Sequence, residues 1–94
     1  MAYYVYVLES VSNGKRYVGS TGQALTERLN QHNRGATSWA RRNRPFKLLY
    51  WEEYPYKTEA LKRERFLKTG VGRRMRDELV RTRGESTEVS SAKG

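Results

Sequence analysis

Five side chains in this chain have the types and spacing to act on a phosphate: Tyr6, Tyr17, Arg28, His32 and Glu64. Arg28 and His32 stand one helical turn apart, and residues at i and i+4 share a helix face. A guanidinium grips phosphate through parallel N–H donors, and an imidazole or a phenol can exchange protons with the reacting groups. Each residue also has a plainer reading. Two tyrosines on one strand face serve as core, an arginine stem snorkels along an apolar stripe, and a histidine near a helix C-terminus complements the dipole there.

The elements that must position these groups follow from pattern. Tyr3 to Leu8 is almost continuously apolar, which predicts a central strand covered on both faces. Asn13-Gly14 signals a hairpin into a second strand from Arg16 to about Thr21. A two-residue turn pairs Tyr6 with Thr21 and Ser10 with Tyr17, leaving Tyr6 and Tyr17 roughly 13 Å apart on one face with Tyr4 and Gly19. A wider loop brings the two tyrosines together, and both registers stay open. A helix over about 23–33 carries Leu25 and Leu29 as its stripe, with Arg28 and His32 at the stripe's edge and Gly35 as terminator.

From Arg34 to Pro45, the residues Gly35, Thr37, Ser38 and Asn43 predict a loop with little regular structure. Arg34, Arg41, Arg42 and Arg44 surround Trp39 there, a pattern suited to nucleic-acid contact; Trp39 itself is either a stacking residue or an anchor to the core. Phe46 to Tyr54 reads as a strand beside the first, with Leu48 and Tyr50 on one face and Leu49 and Trp51 on the other. Pro55 ends it. Thr58 is the expected N-cap of a helix over Glu59 to Lys68, closed by Gly70.

Ala60, Leu61 and Leu67 define the buried arc of that helix, Glu64 falls inside it, and Lys62, Arg63 and Arg65 face elsewhere. An inward carboxylate needs a partner. The options are a salt bridge to Arg28 or Lys68, or a hard divalent ion, Mg²⁺ or Mn²⁺. Gly70-Val71-Gly72 and Gly19-Ser-Thr-Gly22 read as turns, because neither has the lysine or the βαβ setting of a phosphate loop. A last helix is expected over about Arg73 to Thr82, followed by a disordered tail over 83–94.

Composition narrows the classes. Lys and Arg outnumber Asp and Glu by 19 to 10 in 94 residues, which gives a net charge of +9 and favours a polyanionic partner. The plainer alternative is a solvated basic protein on ribosomal RNA. With no cysteine and one histidine, zinc fingers, thiol nucleophiles and disulfides are excluded. The start lacks the pattern of a signal peptide and no apolar run approaches ~20 residues, so a cytoplasmic protein is expected. One domain, 1–82, is all the length allows.

Tyr4-Val5-Tyr6, then Tyr17-Val18-Gly19, then Arg28 and His32, then Glu64 within Glu-Ala-Leu-Lys-Arg-Glu-Arg-Phe-Leu-Lys resembles the GIY-YIG nuclease superfamily, most of all its small stand-alone members. Relatives include the nuclease domain of the bacterial excision-repair incision subunit and group I intron homing endonucleases. The resemblance covers about residues 2–80. It implies an α+β fold with a three-stranded antiparallel sheet flanked by helices, and hydrolysis of DNA phosphodiesters with one divalent ion, Mg²⁺ or Mn²⁺.

Carried onto this chain, Glu64 is the metal ligand, Arg28 stabilises transition-state charge, Tyr6 or Tyr17 takes the proton of the attacking water, and His32 assists. Arg34, Arg41, Arg42, Arg44 and Lys68 are the expected nucleic-acid contacts. Tyr4 stands where the family name has glycine, and the turn before Arg28 is slightly long. Larger relatives carry a separate DNA-binding domain and an asparagine after the metal glutamate, neither of which is evident here. Structure-selective cutting in repair or recombination is expected. The alternative is a DNA-binding module of the same fold that acts with a protein partner.

Overall fold

The computed structural model describes residues 2–93, with side chains described through residue 82. Its elements are β1 (Tyr3–Ser10), β2 (Arg16–Thr21), α1 (Leu25–Asn33), α2 (Ser38–Asn43), β3 (Phe46–Tyr54), α3 (Lys57–Leu67) and α4 (Gly70–Lys93). The three strands form one antiparallel sheet in the order β2-β1-β3. The α+β architecture is the expected one. The tail expected over 83–94 falls outside the residues whose side chains are described.

β1 is central and buried on both faces. Val5 and Val7 join Val18, Tyr50, Ala60 and Leu67 in a core under α3 and α4. Tyr6 and Leu8 join Ala40 and Phe46 in a second core under α1 and α2. Four consecutive buried residues, Val5 to Leu8, explain why the sequence here is an unbroken apolar run and not an alternation.

The hairpin takes the wider of the two predicted loops. Tyr6 pairs with Gly19 and Leu8 with Tyr17, two residues away from the two-residue-turn register. A type I′ turn needs positive φ at both central residues. Gly14 has it at 74°, but among the described residues no residue other than glycine does, so Asn13 cannot be the first of the pair. Its side chain is used elsewhere: Nδ2 donates to Asn43 Oδ1 at 2.7 Å, and Oδ1 accepts from the Lys15 amide at 2.9 Å. Ser10, buried at the end of β1, donates from Oγ to the Asn43 carbonyl at 2.5 Å and completes the tie to α2.

Several local expectations need correcting. The segment before Pro45 is not irregular, because Thr37 caps α2 by accepting from the Ala40 amide at 3.1 Å. α1 starts at Leu25, since Thr21 Oγ1 accepts from the Gln23 amide at 3.0 Å and holds the preceding turn out of the helix. Leu48 and Tyr50 do not share a face: an irregularity opposite Val7 and Leu8 leaves Leu49 without a partner and sends Tyr50 to the Val5 side and Leu48 to the Leu8 side. α3 starts after Tyr56, so Thr58 lies in its first turn and is not its cap.

Gly70-Val71-Gly72 is the first turn of α4, capped by Thr69 Oγ1, which accepts from the Gly72 amide at 3.1 Å. Gly72 is required there, because a Cβ would overlap the Phe66 carbonyl. Arg63 also departs from its expected outward direction. It donates to both oxygens of Glu52, at 2.9 and 3.0 Å, while Tyr54 donates to Glu52 at 2.7 Å and Tyr50 donates as well. Burial alone would raise the Glu52 carboxyl, and the donors from Arg63, Tyr50 and Tyr54 outweigh it, leaving it below its ordinary range.

That cluster ties β3 to α3. Glu52→Gln is expected to cost about 2 kcal/mol, the weight of a hydrogen bond to a charged group, read as a shift in the urea midpoint. Because the native carboxyl titrates below the unfolded one, its contribution is full above the unfolded value of about 4.3 and is lost as pH falls below it. The destabilisation by Glu52→Gln should therefore shrink on acidification; an effect independent of pH would contradict this assignment.

Candidate active site

The candidate site lies where β1 meets the edge strand β2, and Gly19 makes it possible. A Cβ on Gly19 would come within 2.6 Å of the Tyr6 hydroxyl and 2.9 Å of Tyr17 Cε2. Without that atom, the two tyrosine rings lie together over the strand with centroids 6.4 Å apart. The wider hairpin register sets this up, by placing Tyr6 directly opposite Gly19 and Tyr17 two residues along the same face.

Tyr6 is only 1% exposed, so its hydroxyl must find partners inside the protein. α1 supplies them. Arg28 Nε donates to the Tyr6 oxygen at 3.2 Å, and His32 Nε2 lies 3.3 Å from the same oxygen. A guanidinium only donates, so the Tyr6 oxygen is the acceptor in that bond, and its own O–H is left to donate to His32 when the imidazole carries its proton on Nδ1. In that tautomer neutral His32 accepts at Nε2. Burial, with the Arg28 charge as a second cause, holds the His32 imidazole below its ordinary range and keeps it neutral at pH 7. Burial also raises the Tyr6 phenol despite the adjacent Arg28, so Tyr6 keeps its proton.

Arg28 is itself positioned. Its NH1 donates to Gln31 Oε1 at 2.9 Å, three residues along the helix. The bond to Tyr6 raises the guanidinium further, so it is cationic throughout. Gln31 was not anticipated from sequence, although an amide at i+3 of an arginine is a readable signal. Behind the cluster stands an aromatic wall. His32 meets Phe46 edge-on at 5.7 Å, Phe46 stacks on Trp39 at 5.3 Å, and Trp39 packs on Tyr17 at 4.9 Å. Trp39 thus makes the contacts of an anchor.

Glu64 approaches from the opposite face of the sheet, on α3. Ser20 Oγ donates to its Oε1 at 2.5 Å and Lys68 Nζ to its Oε2 at 2.7 Å, so of the two partners considered for an ion pair the structure uses Lys68 and not Arg28. Ser20, next to Gly19, was also missed from sequence. Lys68 reaches over the strand edge and sits 5.8 Å from the Tyr17 ring centre. The negative charge of Glu64 is felt at Tyr6, so the two faces meet electrostatically at this edge. Among the described residues, no group of three or more His, Cys, Asp or Glu side chains forms a metal cage.

The arginines expected to contact nucleic acid lie on α2 and just beside it. Arg34, Arg41, Arg42 and Arg44 are all exposed. Arg44 NH1 donates to the Arg34 carbonyl at 3.1 Å, which ties α2 to the end of α1. Lys68 alone of the five borders the candidate site. No helix among the described residues is long and apolar enough to cross a membrane.

Comparison with known proteins matches this geometry to a family. The family model of the GIY-YIG catalytic domain covers residues 2–76. UPF0213 proteins of Staphylococcus aureus, from strains COL and Mu50 among others, are 38% identical over 69 residues, spanning 72% of this chain and 82% of theirs. A solution NMR structure of the UPF0213 protein BH0048 from Bacillus halodurans superposes with a TM-score of 0.54 at 33% identity, covering 89% of this chain and 87% of that one. Tyr6, Tyr17-Val18-Gly19, Arg28, His32 and Glu64 all lie within the matched span, and the chain belongs to the GIY-YIG nuclease domain family.

Proposed function

We propose that the protein is a divalent-metal-dependent DNA endonuclease of structure-selective type, with Tyr6, Arg28, His32 and Glu64 as its working groups and Tyr17 beside them. The observation that carries this reading is the Tyr6 hydroxyl held between Arg28 at 3.2 Å and His32 at 3.3 Å. A purely structural tyrosine needs one partner, whereas this one touches both a cation and a group that can take a proton.

Glu64 fits a hard divalent ion. Mg²⁺ and Mn²⁺ bind through one or two protein carboxylates, substrate phosphate oxygens and water, so a lone half-buried carboxylate beside a hydroxyl is a sufficient donor set. When bound there, the ion supplies Lewis-acid charge to a nonbridging oxygen and to the leaving oxygen. Lys68, already against Glu64, is free to turn to a phosphate once that carboxylate is engaged.

The chain's own groups account for the proton. As the water oxygen bonds to phosphorus and the bond to the 3′ oxygen breaks, the water proton passes to the Tyr6 oxygen, and the leaving 3′ oxygen takes a proton from bulk water. Tyr6 passes its own proton to His32 Nε2. Tyr6 is a neutral phenol before and after, so its raised titration does not oppose the reaction. Arg28 keeps its remaining N–H donors for the charge that builds on the phosphate.

Cleavage of labelled flap, junction, duplex and single-stranded DNA with Mg²⁺, Mn²⁺ or EDTA tests the reading. Arg28→Ala should lower the rate by about 10²–10³-fold, as loss of a charge-stabilising donor does elsewhere, and Glu64→Gln should do so by at least as much, both with DNA binding in EDTA retained. Binding without cutting by the wild type under every condition would instead assign a DNA-binding module. A second test follows from His32. Its charging is opposed by burial, so the rate should hold as pH falls to about 6.5, the ordinary histidine value, and decline only below it. A decline centred above that value would show that neutral His32 is not the acceptor.

A further inference from the structure

Next to Glu64 lies a cleft that the proposed chemistry does not use. Its volume is about 420 Å³, and it is lined by Tyr3, Ser20, Thr21, Gly22, Lys57, Ala60 and Leu61. It opens along the same β2 edge as the candidate site. Ser20 is common to both, since its hydroxyl donates to Glu64. Ala60 and Leu61 precede Glu64 by four and three residues on α3, so the cleft sits one helical turn, about 5 Å, from that carboxylate.

We infer that this cleft receives an unpaired nucleotide adjacent to the scissile phosphate, with its base between Tyr3 and Leu61 and its phosphate on Lys57. The size is that of a small-molecule site, at the lower end of the roughly 300–1,000 Å³ such sites span. It admits a base and not a duplex.

The lining chemistry suits the same occupant. The Tyr3 ring provides a flat apolar wall and Leu61 a second one, the arrangement in which bases stack without sequence preference. Gly22 keeps the Tyr3 ring in place, because a Cβ there would stand 3.1 Å from Tyr3 Cε1. Thr21 Oγ1 already accepts from the Gln23 amide, which leaves its O–H to donate to a base or sugar. Lys57 is exposed at the mouth and takes part in no ion pair among the described residues. No carboxylate lines the cleft, and the adjacent Glu64 is paired with Lys68.

A substrate that fills this cleft must offer a base free of its complement, as a single strand, flap or frayed end does. The selectivity then arises from the price of unpairing, which an intact duplex must meet and a single strand has already met. This inference rests on the endonuclease reading for the position of the scissile phosphate, and it can fail independently of it.

The test is binding of fluorescent single-stranded and blunt-duplex DNA of one sequence to the full chain in EDTA, followed by cleavage of the same strands with Mg²⁺. The variants are Lys57→Glu, Leu61→Trp to fill the cleft, and Lys62→Glu as a charge-matched control on the same helix but outside the cleft, with melting temperatures measured for all. Lys57→Glu and Leu61→Trp should each weaken single-strand binding about tenfold and leave duplex binding within about twofold, while Lys62→Glu lowers both slightly and equally.

Equal losses on single strand and duplex, or a Lys62→Glu effect as large as that of Lys57→Glu, would overturn the cleft. Lys57 is exposed, so its variant keeps the test decisive if Leu61→Trp does not fold. Cleft-dependent binding with no cleavage by the wild type supports the cleft and overturns the endonuclease reading. Cleavage with binding indifferent to the cleft variants does the reverse.

Discussion

A phenol hydroxyl buried in a sheet must be hydrogen-bonded, and the arrangement around Tyr6 is organised by that requirement. The ring needs room over β2, which Gly19 supplies by having no side chain; the hydroxyl needs partners, which α1 supplies one turn apart as Arg28 and His32. Because a guanidinium cannot accept, the Tyr6 proton does not point to Arg28, and His32 is the other partner within reach. The helix must then pack with one face on the sheet, and Leu25 and Leu29 hold it there beside Tyr6 and Leu8.

The electrostatics follow from the same edge. β2 is the outer strand, so groups from both faces of the sheet reach around it: Tyr6, Tyr17, Arg28 and His32 from one side, Glu64 and Lys68 from the other. A chain of net charge +9 draws a polyanion to its surface from many directions, and charge of this kind guides encounter more than it fixes position. On the proposed reading, position comes from the one carboxylate in the site, from the guanidinium beside Tyr6 and from the cleft that continues along β2. The exposed arginines on and beside α2 suit, on the same reading, contacts to the flanking backbone.

The sheet was readable from sequence because its signals are strong ones: four consecutive buried positions in β1, a glycine turn, and Pro55 just past β3. The stacking of Arg28 and His32 on one helix face was readable for a similar reason, since helical spacing is a local property. What was not readable depended on distant partners. The hairpin register turned on Asn13, whose amide bonds Asn43 thirty residues away and so leaves the two-residue turn. α2 is held because Trp39 packs between Tyr17 and Phe46, a contact with β2 that no local window contains, while its Thr37 cap, a local bond to the Ala40 amide, was readable and overlooked. Arg63 turned inward to Glu52, and the Leu49 irregularity separated Leu48 from Tyr50, for the same kind of reason. In the site, Gln31 and Ser20 act on Arg28 and Glu64 through single hydrogen bonds, which residue type alone does not announce.

The central claim is that the Tyr6 oxygen relays the proton of the attacking water. The most direct measurement is single-turnover cleavage by Tyr6→Phe beside the wild type, with Mg²⁺ and a shared flap substrate. Phenylalanine keeps the ring that fills the space over Gly19 and removes only the oxygen. The account predicts a loss of about 10²-fold or more, with DNA affinity little changed and the variant still folded at the assay temperature despite a lowered melting temperature. Cleavage by Tyr6→Phe within about threefold of the wild type would contradict it and move the proton transfer to another group.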